Sequence, residues 1–169
     1  AAYVIDAIRL MWYKIYYPVE FYAAYFTAAP DGFDGEIVMG GKNHCKEVLA
    51  DYNKRRNEIS ATEAEVANAL MLINECYERG FDFLPVDIYK SHATKFVPEN
   101  GKIRLPFACL PGLGGAAAEN IMNAMRSGSV FSVDELKTKG KVSKSVLDLL
   151  EKTGALRGMS KTNQISMFM

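Results

Sequence analysis

The glycine-rich segment at residues 110–121, LPGLGGAAAENI, has the composition of a site that binds an anion through the backbone. Two glycines give a tight turn between two helices its conformational freedom, and the leucine between them points inward to hold the turn. A third glycine and two alanines open the second helix, so a phosphate can approach its free N–H groups at the positive end of the helix dipole. The predicted contact residues are Gly112, Leu113, Gly114, Gly115, Ala116 and Ala117.

Together these features predict a helix-hairpin-helix at residues 110–125 that binds the phosphate backbone of duplex DNA. Behind the turn, an apolar stripe is predicted to be buried; it consists of Ala118, Ile121, Met122 and Met125. The alternative interpretation is an ordinary glycine-rich connection between two helices, which so short a pattern also permits.

A second, degenerate copy of the pattern follows at residues 140–144, GKVSK. Ser132 and Glu135 have the spacing of a capping box that starts a short helix ending at Lys139, and Val142 takes the inward position of the turn. The predicted contact residues of this copy are Lys137, Lys139, Lys141, Ser143 and Lys144. The alternative is a solvated lysine-rich surface, but two hairpins side by side would contact both strands across a groove, through shape and charge rather than base sequence.

The segment QISMF at residues 164–168 is the third candidate site. A glutamine followed by aliphatic and aromatic residues can insert as an extended peptide into an apolar pocket of a partner protein, because exposed apolar groups at a terminus are otherwise unfavourable. The alternative is a tail that frays or packs on its own domain.

Composition limits the function classes. The 169-residue chain has no net charge, but residues 1–79 carry 8 Lys+Arg and 12 Asp+Glu, whereas residues 80–169 carry 12 and 8. The positive half suits a polyanion-binding surface.

Three scattered cysteines predict inert thiols in a reducing cytosol, and His44 beside Cys45 has no second cluster to complete a metal site. No secretory signal or membrane span is predicted.

Helical periodicity dominates the first half of the chain. It predicts an amphipathic helix over residues 1–16, an aromatic helix that begins at Pro18 and ends before Pro30, and a third helix over residues 44–56. Residues 31–42 contain four glycines and are predicted to form a loop. Thr62 and Glu65 have the spacing of a capping box for a fourth helix, and Gly80 is predicted to end that helix in the left-handed conformation.

Short β-forming segments follow at residues 86–89, 94–97 and 102–105, with the tight-turn sequence Asn100-Gly101 between the last two. We therefore expect a small β-hairpin, followed by short helices from Pro106 onward. The predicted fold class is mainly α: a helical segment, then a tandem helix-hairpin-helix domain with a small β-hairpin, and a flexible C-terminal tail.

The motifs resemble those of one known family. AAY at residues 1–3 with residues 13–14 and 17–24 is similar to the distal fingers helices of bacterial replicative DNA polymerase III alpha subunits of family C, PolC type. Residues 79–87 and 103–113 resemble the passage into that family's tandem helix-hairpin-helix domain. QISMF resembles the family's QLSLF sliding-clamp motif, with Met167 in place of leucine, and its position at the chain end is typical of the PolC type. Many such hairpins carry lysine where this chain has Gly115 and Ala116.

The resemblance implies a division of the chain and its function. It implies distal fingers helices at 1–80, a connecting segment with the β-hairpin at 81–105, the tandem hairpin domain at 106–156 and the clamp-binding tail at 157–169. The implied function is to bind the product duplex of a cytoplasmic DNA-directed DNA polymerase and tether it to the sliding clamp. The implied clamp contacts are Gln164, Ile165, Ser166, Met167 and Phe168.

The resemblance also implies which chemistry this chain lacks. A polymerase needs carboxylates that hold Mg²⁺, and no Asp-x-Asp pair is present. We therefore expect a portion of a longer polymerase that is inactive alone, with no catalytic residue, metal ligand or cofactor of its own. Its expected partners are double-stranded DNA, the clamp and the polymerase's other domains. The alternatives are a non-catalytic module of a DNA repair or recombination protein and a helical protein-interaction domain.

Overall fold

The computed structural model describes residues 2–55 and 58–162, and it confirms the mainly helical fold class. Within these ranges the chain forms eight α-helices, a 3-10 turn and a three-stranded sheet. None of the helices in the described ranges is both long enough and apolar enough to cross a bilayer.

The first two helices agree with the prediction. Helix α1 spans Ala2–Tyr16 and α2 spans Pro18–Ala28, with Pro18 in the first turn, where its missing N–H is tolerated. Tyr22 and Phe26 of α2 are buried in the core. Helix α1 has no buried residue, and its apolar side chains, among them Trp12, are largely exposed.

Polar contacts fasten the C-terminal end of α1. Lys14 Nζ lies 2.7 Å from Glu75 Oε1, and the buried Tyr22 hydroxyl donates to the same carboxylate oxygen at 2.6 Å. Arg79 donates to the Tyr22 hydroxyl and to the Lys14 carbonyl. Burial and the contact with Glu75 raise the pKa of Tyr22 to about 12, so the phenol stays protonated and donates.

The predicted loop at residues 31–42 is wrong. Its centre is helix α3, Gly35–Met39, and α4 follows at once over Gly41–Lys54. The Asp34 carboxylate accepts from the Ile37 N–H at 3.1 Å and so caps α3. Five residues are too few for a helical period to be visible among four glycines.

Helix α5, Ala61–Glu78, has a different cap from the predicted one. The capping box is Ser60 with Glu63, not Thr62 with Glu65, because the helix begins two residues earlier than predicted. Glu63 accepts from the Ser60 N–H at 2.8 Å, and Ser60 Oγ accepts from the Glu63 N–H at 3.2 Å. Gly80 has a φ of +85°, as predicted for the residue that ends this helix.

The sheet consists of β1 (Phe83–Leu84), β2 (Val97–Glu99) and β3 (Lys102–Arg104) in the order β1-β3-β2. The predicted hairpin is confirmed: β2 and β3 are antiparallel around Asn100 and Gly101, whose φ values are +52° and +76°. The predicted strand at 86–89 is wrong, and the one at 94–97 forms only at Val97. Strand β1 was not predicted, because its parallel partner β3 is distant in sequence.

The C-terminal part contains the 3-10 turn Phe107–Cys109, then α6 (Gly115–Arg126), α7 (Val133–Lys139) and α8 (Lys144–Lys152). One apolar core extends from α2 through the sheet into these helices. Its largest fully buried members here are Phe107, Leu110, Ile121, Leu136 and Leu150.

Candidate nucleic-acid interface

The first hairpin joins the 3-10 turn to α6. The helix predicted before the turn is therefore only three residues long. Leu113 points inward and is 3% exposed, and its N–H donates to the Leu110 carbonyl at 3.0 Å. Gly112 has a φ of +86°, a conformation that favours glycine, as predicted. Gly114 does not need the same freedom, since its φ of −69° and ψ of 157° are open to any residue.

The second hairpin repeats the geometry of the first. Lys141 has a φ of +49° in the position of Gly112, and Val142 is buried like Leu113. Ser143 has a φ of −69° and a ψ of 157°, the same values as Gly114. The two turns are thus conformational copies, and α7 packs against both α6 and α8.

The two helix N-termini differ in the backbone N–H groups that they leave free. Ser143 Oγ accepts from the Val146 N–H at 3.3 Å and so occupies one donor of α8. Gly114 has no side chain to do this for α6. Within the described ranges, the N–H groups of Gly115, Ala116 and Ala117 have no acceptor, and the first two residues are exposed. The lysine-free hairpin therefore presents the more open set of donors for an anion.

The four predicted lysines are all exposed, but they are not equivalent. Lys139 donates to the Ser129 carbonyl and lies 3.4 Å from Glu135 Oε1, so its charge already has partners. In the part of the chain that the structure describes, Lys137, Lys141 and Lys144 make no ion pair.

His92, which was not among the predicted site residues, contacts the 3-10 turn that precedes the first hairpin and has two basic residues near it. His92 accepts from the N–H groups of Thr94 and Lys95, and its carbonyl accepts from Phe107 in the 3-10 turn. Burial, followed by the nearby charges of Lys95 and Arg126, lowers the pKa of His92. No local pattern could have shown the approach of Arg126, because it is the last residue of α6 and is distant from His92 in sequence.

An open cleft of about 530 Å³ lies on the other side of the first hairpin, against residues 32–34, Thr62 and Val66. Helix α3 and the 3-10 turn approach each other closely: a Cβ added to Gly35 would lie 2.4 Å from Cys109 Sγ. The hairpin is therefore supported by the N-terminal helices through a contact that only glycine permits.

The cysteines are three buried free thiols. Burial raises the pKa of Cys45 to about 11 and that of Cys76 to about 12, and it raises the pKa of Cys109 as well. Such thiols are poor nucleophiles. Among residues 2–55 and 58–162, no group of three or more His, Cys, Asp or Glu side chains could hold a metal ion. The predicted clamp contacts at 164–168 lie outside the described residues.

Comparisons with known proteins agree with this geometry. A model of the helix-hairpin-helix motif matches residues 80–165. The chain is 40% identical over 167 residues to the DNA polymerase III PolC-type of Clostridium perfringens, 38% over 168 residues to that of Bacillus subtilis and 39% over 174 residues to that of Thermotoga maritima. Each match covers 99% of this chain, which spans about 12% of the length of these relatives. The relatives confirm the resemblance seen in the motifs.

Proposed function

This chain belongs to the helix-hairpin-helix family, and from that membership, together with its similarity to PolC-type polymerases, we propose that it holds the product duplex of a replicative DNA polymerase of that type. The proposal rests on the two turns, which have matching backbone conformations. The first turn presents backbone N–H groups that have no acceptor among the described residues, and the second presents lysines that make no ion pair there. Helix N-termini and lysines both bind phosphate oxygens. The duplex would therefore be held through its backbone, without sequence preference.

The proposed contacts of the first hairpin are backbone groups. Gly115, Ala116 and Ala117 would donate N–H groups to one phosphate, while Gly112 shapes the turn and Leu113 holds it from inside. In the second hairpin, Lys137, Lys141 and Lys144 would contact the phosphates, with Ser143 at the helix cap. We give Lys139 the smallest role of the four, because its ammonium group already has two partners.

A salt titration with duplex DNA tests the proposal. The logarithm of affinity should fall by about 0.9 per phosphate contact for each tenfold rise in salt. Replacing Lys137, Lys141 and Lys144 together by glutamine should reduce the slope by about 2.7. The matched control replaces Lys42, Lys46 and Lys102, which pair with Glu78 and Asp82, and should leave the slope unchanged. Absence of duplex binding, or equal slopes for the two triple variants, would refute the proposal.

We further propose that residues 164–168 bind the sliding clamp, so that the polymerase is tethered to DNA. This rests on the QISMF sequence. Replacing Gln164 and Phe168 together by alanine should abolish co-elution with a bacterial sliding clamp, whereas Ser166→Ala should not. Unchanged co-elution of the double variant would favour the second candidate, a non-catalytic module of a DNA repair or recombination protein.

Catalysis would belong to other parts of such a polymerase, acting in the bacterial cytoplasm. The relatives are about eight times longer than the matched region, which leaves room for the Mg²⁺-binding carboxylates that nucleotidyl transfer needs. We assign no catalytic residue to this chain. Alone, it should incorporate no nucleotide on a primed template, and metal-dependent extension would contradict this assignment.

A further inference from the structure

An open cavity of about 370 Å³ lies beside the C-terminal end of α6, and we call it the distal groove. Its apolar lining is formed by Ile88, Val97, Met122 and Met125. Its polar lining includes Tyr89, Lys90, His92 and Arg126. The distal groove thus combines apolar and cationic side chains, and none of them belongs to the duplex contacts proposed above.

The distal groove is well separated from those duplex contacts. Helix α6 has its first open N–H group at Gly115 and ends 12 residues on at Arg126, so its two ends are about 18 Å apart. The Ile88 N–H donates to the Ala155 carbonyl at 3.0 Å, just beyond the end of α8. The distal groove therefore adjoins the C-terminal ends of both helices, whereas the hairpin turns adjoin their N-terminal ends.

One wall of the distal groove is an ordered turn that begins at Asp87. The Asp87 carbonyl accepts from the N–H groups of Lys90 and Ser91 at 3.2 and 2.9 Å. Ser91 Oγ donates to the Leu105 carbonyl at 2.7 Å and accepts from the Asp87 N–H at 3.0 Å. The turn presents Tyr89, which is 56% exposed, and Lys90 from a fixed backbone. Side chains held in this way bind a partner at a lower entropic cost.

The distal groove is positively charged. No aspartate or glutamate is among the described residues that line it. Arg126 is exposed and makes no ion pair in the part of the chain that the structure describes. Lys90 lies 3.4 Å from Glu99, a carboxylate that Arg104 already engages through two shorter contacts. Both lining cations can therefore accept an acidic partner.

His92 adds a neutral donor to these cations. Its Nδ1 accepts from the N–H groups of Thr94 and Lys95, so the proton of the neutral ring is on Nε2. Burial, followed by the charges of Lys95 and Arg126, lowers the pKa of His92, and the opposing charge of Glu119 is a smaller effect. The ring is therefore neutral at pH 7.5.

We propose that the distal groove binds an acidic segment of another polypeptide that carries large apolar side chains. The apolar side chains would pack on Met122 and Met125, because flexible thioethers fit groups of different shapes. Carboxylates of the same segment would pair with Arg126 and Lys90. Tyrosine, methionine and arginine, which line the groove together, are the residues enriched where proteins bind one another.

The test uses the 169-residue chain at pH 7.5 and three capped hexapeptides. In the first peptide, leucine and phenylalanine lie between two pairs of glutamates; lysines replace the glutamates in the second, and alanines replace the apolar pair in the third. The first peptide should bind and shift the methyl resonances of Met122 and Met125. The other two should bind about tenfold more weakly, since each lacks either the complementary charge or the apolar groups. Absence of binding by the first peptide, or equal affinity for all three, would overturn the proposal.

Paired variants separate the distal groove from the hairpins. Lys90→Gln with Arg126→Gln should weaken binding of the first peptide severalfold and leave the salt dependence of duplex binding unchanged. Lys137→Gln with Lys141→Gln is the matched control and should have the opposite effects. Equal loss of peptide affinity in the two double variants would show unspecific charge attraction and overturn the proposal.

A competing strand tests the class of ligand. A twelve-nucleotide oligothymidylate should not displace the first peptide. Displacement, with the same shifts of the methionine methyl resonances, would assign the distal groove to single-stranded nucleic acid and overturn the proposal. Because the peptides are measured without duplex, failure of duplex binding would refute the proposed function alone.

Discussion

Gly112 and Lys141 occupy equivalent positions in the two hairpins, and exchanging their residue types should change stability in opposite directions. A left-handed conformation costs a residue with a Cβ roughly 1–2 kcal/mol, and both positions have positive φ. No atom lies within 4 Å of a Cβ added to Gly112, so Gly112→Ala introduces backbone strain without a clash. Alanine also restricts the unfolded chain, which returns about 0.4–1 kcal/mol. The net loss in the free energy of unfolding should be about 1 kcal/mol.

Lys141→Gly is the reverse change. It relieves the strain at +49°, and after the entropic offset it should raise the free energy of unfolding by up to about 1 kcal/mol. The same substitution removes an exposed lysine, so the salt slope of duplex binding should fall by about 0.9. Greater stability with weaker DNA binding is therefore expected from one substitution. Lys141→Gln is the matched control, since it removes the charge but keeps the strained backbone.

Urea denaturation of the three variants, with duplex titrations at several salt concentrations, measures both effects. The stability order should be Lys141→Gly above Lys141→Gln, with Gly112→Ala below wild type. Both lysine variants should reduce the slope of log affinity against log salt concentration by the same amount. The backbone argument is refuted if Gly112→Ala is as stable as wild type, or if Lys141→Gly is less stable than Lys141→Gln.

Two further predictions concern stability, the first in the sheet and the second in the first hairpin. The bidentate contact with Arg104 lowers the pKa of Glu99 to about 2, so its contribution to stability is present above pH 4.5 and is lost as the pH falls towards 2. That contribution is at most about 3 kcal/mol. In urea denaturation at a series of pH values, Glu99→Gln should reduce the loss in the free energy of unfolding between pH 4.5 and 2. An unchanged loss in the variant would contradict the role of the pair. Leu113→Ala should lower the free energy of unfolding by about 2–5 kcal/mol, because it leaves a cavity inside the turn. The half-buried Leu149, replaced in the same way, should cost less, and equal losses would show that Leu113 does not hold the hairpin.

Features that depend on neighbouring residues could be predicted from the sequence. Asn100-Gly101, Gly80 and Gly112 all have the positive φ that their motifs indicate, since a turn conformation is determined by a few consecutive residues. The second hairpin was predictable for the same reason, even with lysine in the glycine position. Long helices such as α1 and α5 also follow from periodicity alone.

Where two sequence patterns overlap, only the tertiary structure shows which of them the chain uses. The sequence around residue 60 contains two capping boxes, and the structure uses the earlier one. Residues 62–66 then lie inside α5, where Gly32 packs so closely that an added Cβ would be 2.2 Å from the Glu65 carbonyl oxygen. Strand β1 likewise exists because β3, which is distant in sequence, lies beside it.

The sequence by itself determined the two hairpin turns and the residue types at their tips. Only the tertiary structure decided which of those residues are available to a phosphate. It brings Lys139 into contact with Ser129 and Glu135, places Lys95 and Arg126 near His92, and folds residues 156–162 onto the beginning of α7. The physical reason is range: a φ value is set by adjacent residues, whereas ion pairing requires side chains within about 4 Å, and the packing of distant segments decides which ones meet.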